Sequence, residues 1–202
     1  MKNMTHTVSP LLNNVTIVSN DYFYKYGLRK MITLVEPPPD NSSSTWHRNS
    51  PADITFRKSV VSINYHLKPS PPAKHRHSTP FSIDIPFNCD SLTINEVQAK
   101  LEKILSLARL PLSEENKKDI FQKIGGRRYL QLSAMENQVL HNLGKGYCAQ
   151  DIAAILGCTD KTVSTHCRNA MRKMGITKKS ELYHYASWMV QHIDSERITL
   201  CL

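Results

Sequence analysis

The chain has 202 residues and a formal net charge of +9, long enough for two small domains that each bury a core. In a soluble chain that positive balance favours a polyanionic partner such as nucleic acid. No apolar run approaches the roughly 20 residues that cross a bilayer, and Met1 to Leu12 lacks the unbroken apolar stretch of a signal peptide, so no membrane association is expected and the location expected is cytoplasmic.

Asn13 to Asp21 reads as a short buried strand, with Val15, Ile17 and Val18 bounded by turn formers, and Tyr22 to Ile32 continues with a helical rhythm. Strand followed by helix begins an α/β unit. Glu36 to Asp53 is dense in Pro, Ser and Asn and reads as loop. Ile54 to Leu67 is β-branched and alternating enough for a second strand, Lys68 to Pro80 is another loop, and Phe81 to Phe87 alternates as a third strand. Ser91 to Ala108 is an amphipathic helix opened by Ser91 or Thr93, with Glu96 three residues beyond Thr93 to complete a capping box. From about Leu130 onward no strand is expected. This change of rhythm divides the chain into an α/β domain over 1–107, a linker over 108–129 that contains Gly125 and Gly126, and an all-α domain of four helices over 130–195.

In the second part, Ser133 with Glu136 forms a capping box for a helix that buries Val139, Leu140 and Leu143 and stops at Gly144 to Gly146. The next helix runs from Ala149 to Leu156 and ends at Gly157. Thr159 or Asp160 caps a third, whose apolar positions Val163, His166 or Cys167, Ala170 and Met174 recur every three or four residues. Gly175 closes it, and Lys178 to Ile193 supplies a fourth. Two helices joined by a tight turn containing Gly form a helix-turn-helix, here about 149–168, in which the second helix enters the major groove of double-stranded DNA. On the polar side of that helix Lys161, Ser164 or Thr165, Arg168 and Arg172 follow at spacings of three or four and project together. Between Lys161 and Lys179 the charged residues are Lys161, Arg168, Arg172, Lys173, Lys178 and Lys179, with no acidic one. Phosphate neutralisation by such groups gives affinity, and side chains aimed at base edges give sequence preference.

The five cysteines, Cys89, Cys148, Cys158, Cys167 and Cys201, are odd in number and contain no C-x-x-C pair, which favours reduced, mostly buried thiols. A redox switch between Cys148 and Cys167 is the weaker reading. His75, His77 and Cys89 lack a fourth ligand at a familiar spacing, so neither a metal nor a cofactor is expected. No nucleophilic triad, paired carboxylate or phosphate-cradling glycine motif is visible, and an enzyme is not expected.

The segment from Leu132 to Leu182 closely resembles the LuxR-type (GerE-like) DNA-binding domain. Leu132, Ser133, Glu136, Val139, Leu140, Gly146, Asp151, Ile152, Ala153, Leu156, Thr162, Val163, His166, Lys173, Met174, Gly175 and Leu182 all match the pattern without a gap. The resemblance implies that Ser164, Thr165 and Arg168 face bases, and that Thr162, Gln150 and Arg172 hold phosphates. It also implies that Leu182, Tyr185, Ala186 and Met189 of the last helix form a dimerisation surface. The family carries Ser then Asn or Lys before its scaffold helix, where this chain has Cys148, Ala149 and Gln150, which weakens the cap and removes a phosphate cation.

Val15 to Ile32 is similar to the opening strand and helix of a phosphoacceptor receiver. A receiver needs an acidic pair after its first strand for Mg²⁺ and an acceptor Asp after its third. The pair positions here hold Ser19 and Asn20, and the acceptor position holds Asn64. These are degenerate, so no phosphorylation of the receiver type is expected. A shortened receiver of this kind resembles, more loosely, the RcsA-like and BglJ-like auxiliary regulators. The resemblances imply a DNA-binding transcription regulator acting as a homodimer or as a heterodimer with another LuxR-type response regulator. The alternative is an antagonist that sequesters a partner regulator with little DNA binding of its own.

Overall fold

A computed structural model describes residues 14–35, 52–65, 81–110, 131–192 and 196–202. The His75 and His77 positions, and the expected linker beyond residue 110, lie outside them. Five strands, β1 (Val15–Ile17), β2 (Ala52–Phe56), β3 (Val60–Tyr65), β4 (Phe81–Pro86) and β5 (Glu196–Thr199), form one sheet in the order β1-β2-β3-β4-β5. The outer pairs β1/β2 and β4/β5 are parallel, and β2/β3 and β3/β4 are antiparallel. The helices are α1 (Tyr22–Val35), α2 (Ile94–Ala108), α3 (Ala134–Gly144), α4 (Ala149–Leu156), α5 (Asp160–Met174) and α6 (Lys179–Gln191). An N-terminal α/β part with a helical C-terminal part is thus the architecture, as the sequence suggests.

Side chains alternate across the pleat. Ile54, Ile63, Ile83 and Ile198 stand in register across four strands and, with Phe56, Val61 and Ile85, face Leu28 and Ile32 of α1 and Leu101, Ile104 and Leu105 of α2 in one core. Thr93 and Glu96 cap α2 reciprocally, as expected, and Tyr65 donates its hydroxyl to the Leu107 carbonyl at 2.6 Å, fastening the end of α2 to the sheet. The opposite row, Thr55, Ser62, Asp84 and Thr199, is polar.

Two expectations are corrected. The stretch read as a single second strand is a hairpin: Arg57 donates to the Val60 carbonyl at 2.9 Å, so Lys58 and Ser59 turn the chain and β3 runs back along β2. A strand also follows Leu130. Arg197 and Thr199 point one way and Ile198 and Leu200 the other, and β5 pairs with β4 beyond the helical part. Its polar side meets α6: the Tyr185 hydroxyl lies 2.9 Å from Thr199 Oγ1, and the Trp188 ring lies 5.1 Å from the Arg197 guanidinium and 5.7 Å from that of Arg57. Gln131 holds Cys201 by two hydrogen bonds, at 2.9 and 2.8 Å. The helical part is therefore docked against the polar side of the sheet.

Candidate nucleic-acid interface

The helical part has its own core, in which Val139, Leu140 and Leu143 of α3 meet Ile152 and Ala153 of α4, Val163, Ala170 and Met174 of α5, and Leu182, Tyr185 and Ala186 of α6. Gly144 lets α3 and α6 approach closely, since a Cβ there would collide with the Ala186 carbonyl oxygen and stand 2.6 Å from Val190. Glu136 closes the expected capping box with Ser133 and also accepts from Lys173 Nζ at 2.7 Å, the two side chains being 5% and 12% exposed. Burial pushes the Glu136 carboxyl up, but the Lys173 ammonium and the Ser133 donors outweigh it and hold the group below the ordinary carboxylate range. This pair ties the start of α3 to the last turn of α5.

α4 ends at Gly157, left-handed at φ 63°, a conformation a residue with a Cβ adopts at a cost. Thr159 then caps α5 by accepting from the Thr162 amide at 3.2 Å. The turn is short, and Val163, Ala170 and Met174 anchor α5 on the core, which leaves its other side outward. Lys161, Thr162, Ser164, Thr165, Arg168 and Arg172 are all exposed, as is Gln150 on α4. Their polar groups are partly engaged with the helix itself. Thr159 and Thr162 share a hydroxyl contact at 2.9 Å, Thr165 Oγ1 donates to the Lys161 carbonyl at 2.8 Å, and Arg168 reaches back to the Ser164 carbonyl at 3.3 Å and to Thr165 Oγ1 at 3.4 Å. The face is thus a row of cations and hydroxyls in a helix with regular caps, the arrangement that fits a major groove.

Residues 130–186 match the family model of bacterial regulatory proteins, luxR family. The C-terminal segment is a LuxR-family helix-turn-helix domain. Over 66 residues it is 38% identical to the transcriptional regulatory protein UhpA of Salmonella typhimurium, covering 33% of this chain and 34% of that protein. Over 64 residues it is 39% identical to UhpA of Escherichia coli, covering 32% and 33%. The chain therefore spans about a third of the length of the curated relatives it matches. No solved structure matches it.

Two groups of expected site residues are not arranged as read. The stripe on the last helix of the LuxR-type domain is internal: Leu182, Tyr185 and Ala186 are buried and Met189 is packed against the same core. In this conformation Leu182, Tyr185 and Ala186 hold the chain's own domain together, with Met189 half-buried beside them. Ser19 and Asn20 follow β1 at one end of the sheet, whereas Asn64 pairs with Asp53 near the other end, because β3 runs antiparallel to β2. The Ser19 hydroxyl instead accepts from the Asp21 amide at 3.1 Å, and Asn64 Oδ1 accepts from the Ser82 hydroxyl at 2.9 Å. Cys148 stands at the N-cap of α4, where its amide donates to Asp151 Oδ2 at 3.1 Å. All five cysteines are free thiols, and burial pushes the Cys167 thiol up.

The residues that join the two parts, Arg57, Asp84, Trp188 and Arg197, were not singled out in the sequence. The alternation from Arg197 to Leu200 is the one signal that points to them. No helix among the described residues is long and apolar enough to cross a membrane.

Proposed function

We propose that this protein is a sequence-specific DNA-binding transcription regulator in which α5 enters the major groove. Ser164, Thr165 and Arg168 meet base edges, Gln150, Thr162 and Arg172 hold phosphates, and Lys161 adds a cation to the same face. The observation that carries this reading is that all seven side chains are exposed on a helix-turn-helix whose matched relatives are named transcriptional regulatory proteins. One recognition helix covers a half-site, so occupancy of an operator takes two such modules, from a homodimer or from this chain with a partner response regulator. Ser19 and Asn20 supply no carboxylate after β1, which supports a regulator that acts without receiver-type phosphorylation.

The test is selection of preferred duplexes from a random pool by the full chain, followed by footprinting of the enriched sequence. A defined half-site motif that protects DNA over one groove face is the expected result. Recovery of sequences no different from the starting pool, with only weak salt-sensitive binding, overturns it.

A further inference from the structure

A cavity of about 300 Å³ opens between α5 and α6, beside the start of α4, a size at the small end of the range for ligand sites. Its floor is apolar: Val163 and Leu182 are 1% and 2% exposed, and Met171 is half-buried. Cys167 supplies a half-buried wall. Burial pushes its thiol up in spite of the Lys179 ammonium, so the sulfur stays protonated and brings no negative charge. Arg168, Lys179 and Tyr183, all exposed, form the mouth. No carboxylate lines the cavity, and neither Arg168 nor Lys179 has an ion-pair partner among the described residues. Arg168 makes two long bonds within its own helix, at 3.3 and 3.4 Å, which leaves most of its donors open. An apolar floor under two uncompensated cations is complementary to a small amphipathic anion.

We infer that this cavity binds a small aromatic carboxylate, with its ring on Val163, Met171 and Leu182 and its carboxylate on Arg168 and Lys179. An aromatic body fits better than a plain alkyl chain, because the Met171 thioether and the Tyr183 ring both take an aromatic neighbour. An ion pair at an exposed mouth contributes little, so the apolar floor carries the binding and the cations select the acid over a neutral analogue. A carboxylate held bidentately by Arg168 takes that guanidinium out of the outward row of α5. Arg168 reads bases in the proposed function, so the occupied cavity lowers affinity for DNA. That second step rests on the proposed function; occupancy of the cavity does not.

Titration calorimetry of the full chain with phenylbutyrate, and with phenylbutanol as its neutral analogue, tests this. The acid is expected to bind saturably, with a dissociation constant of about a millimolar, and roughly fivefold more tightly than the alcohol. Lys179→Gln should narrow that difference and leave the alcohol unchanged, and Cys167→Phe, which fills the cavity, should abolish binding of both. Because Cys167→Phe can also disturb packing, the unchanged protein carries a second readout. Alkylation of Cys167 by a maleimide, followed by peptide mass analysis, should slow when phenylbutyrate is bound, with Cys158 as the unaffected reference. No saturable binding, equal affinity for acid and alcohol, no effect of Lys179→Gln, or an unaltered rate at Cys167 overturns the inference. At saturation phenylbutyrate should also lower affinity for the selected duplex by roughly fivefold or more, with sodium acetate at the same concentration as the control for ionic strength. Unchanged DNA affinity with Cys167 protected overturns the second step. A chain that binds phenylbutyrate but selects no duplex marks a failure of the proposed function, not of the cavity site.

Discussion

Arg197 Nη1 lies 2.9 and 3.0 Å from the two carboxylate oxygens of Asp84, across 113 positions of sequence. The Asp84 side chain is 3% exposed and that of Arg197 is 19% exposed, so the carboxylate is the group that suffers when the pair is broken. Burial already pushes the Asp84 carboxyl above its ordinary range in spite of Arg197. Arg197→Met should therefore cost about 3 to 5 kcal/mol at neutral pH, and Asp84→Asn should cost less. Because the folded state holds the Asp84 proton more tightly than the unfolded chain, the contribution of this group falls as pH rises through the raised value. Urea titrations at acidic and neutral pH should show the Arg197→Met defect shrinking in acid.

Removing residues 196–202 should uncover the β4 edge and the side of α6 that holds Trp188 and Tyr185. Hydrogen exchange read by mass spectrometry is expected to show loss of protection over Phe81 to Pro86, and the truncated chain should bind a hydrophobic dye. Unaltered protection there would mean that β5 contributes little to the sheet.

Lys173→Met strands the Glu136 carboxylate, which is 5% exposed, and is expected to lower stability by about 3 to 5 kcal/mol. Since the folded Glu136 carboxyl is held below its ordinary range, its contribution is complete above the unfolded value and is lost as pH falls through the folded one. Denaturant midpoints measured from neutral pH downward should converge for the variant and the unchanged protein in acid.

Arg168→Ala is expected to reduce affinity for the selected DNA by about 1 to 3 kcal/mol and to relax preference at one position, with thermal unfolding unchanged because the side chain is exposed. Gel-shift titration at fixed salt provides the measurement.

Incubation with acetyl phosphate and Mg²⁺ should leave the chain unmodified and its DNA affinity unchanged. Intact-mass analysis checks the first and footprinting the second. A phosphoaspartate at Asp21 or Asp53 would contradict the reading of the acceptor positions.

The helical domain was legible nearly residue by residue because its punctuation is local. Ser133 and Glu136, Gly157, Thr159 and Gly175 act within one turn of where they stand, and the exposed polar row of α5 follows from spacing alone. The sheet was less legible. A hairpin turn at Lys58 and Ser59 carries no Gly, Pro or Asn, so the two strands beside it read as one. The antiparallel return of β3, which separates Asn64 from Ser19, is a non-local choice that strand periodicity does not encode. The stripe of Leu182, Tyr185 and Ala186 reads as apolar from the sequence, but its burial within the chain was not legible, because what covers it includes Thr199 and Cys201.

The place of β5 in the sheet also bears on how the chain is made. β4 cannot acquire its parallel neighbour until the whole LuxR-type domain has been synthesised, so during translation the α/β part waits with an open strand edge while the helices, rich in local contacts, close first. The last strand then joins the two by closing a loop of more than a hundred residues, an entropic cost that grows only slowly with length. A nascent chain stalled before Glu196 should accordingly carry a folded DNA reader on an unfinished sheet, the form most exposed to strand-edge aggregation.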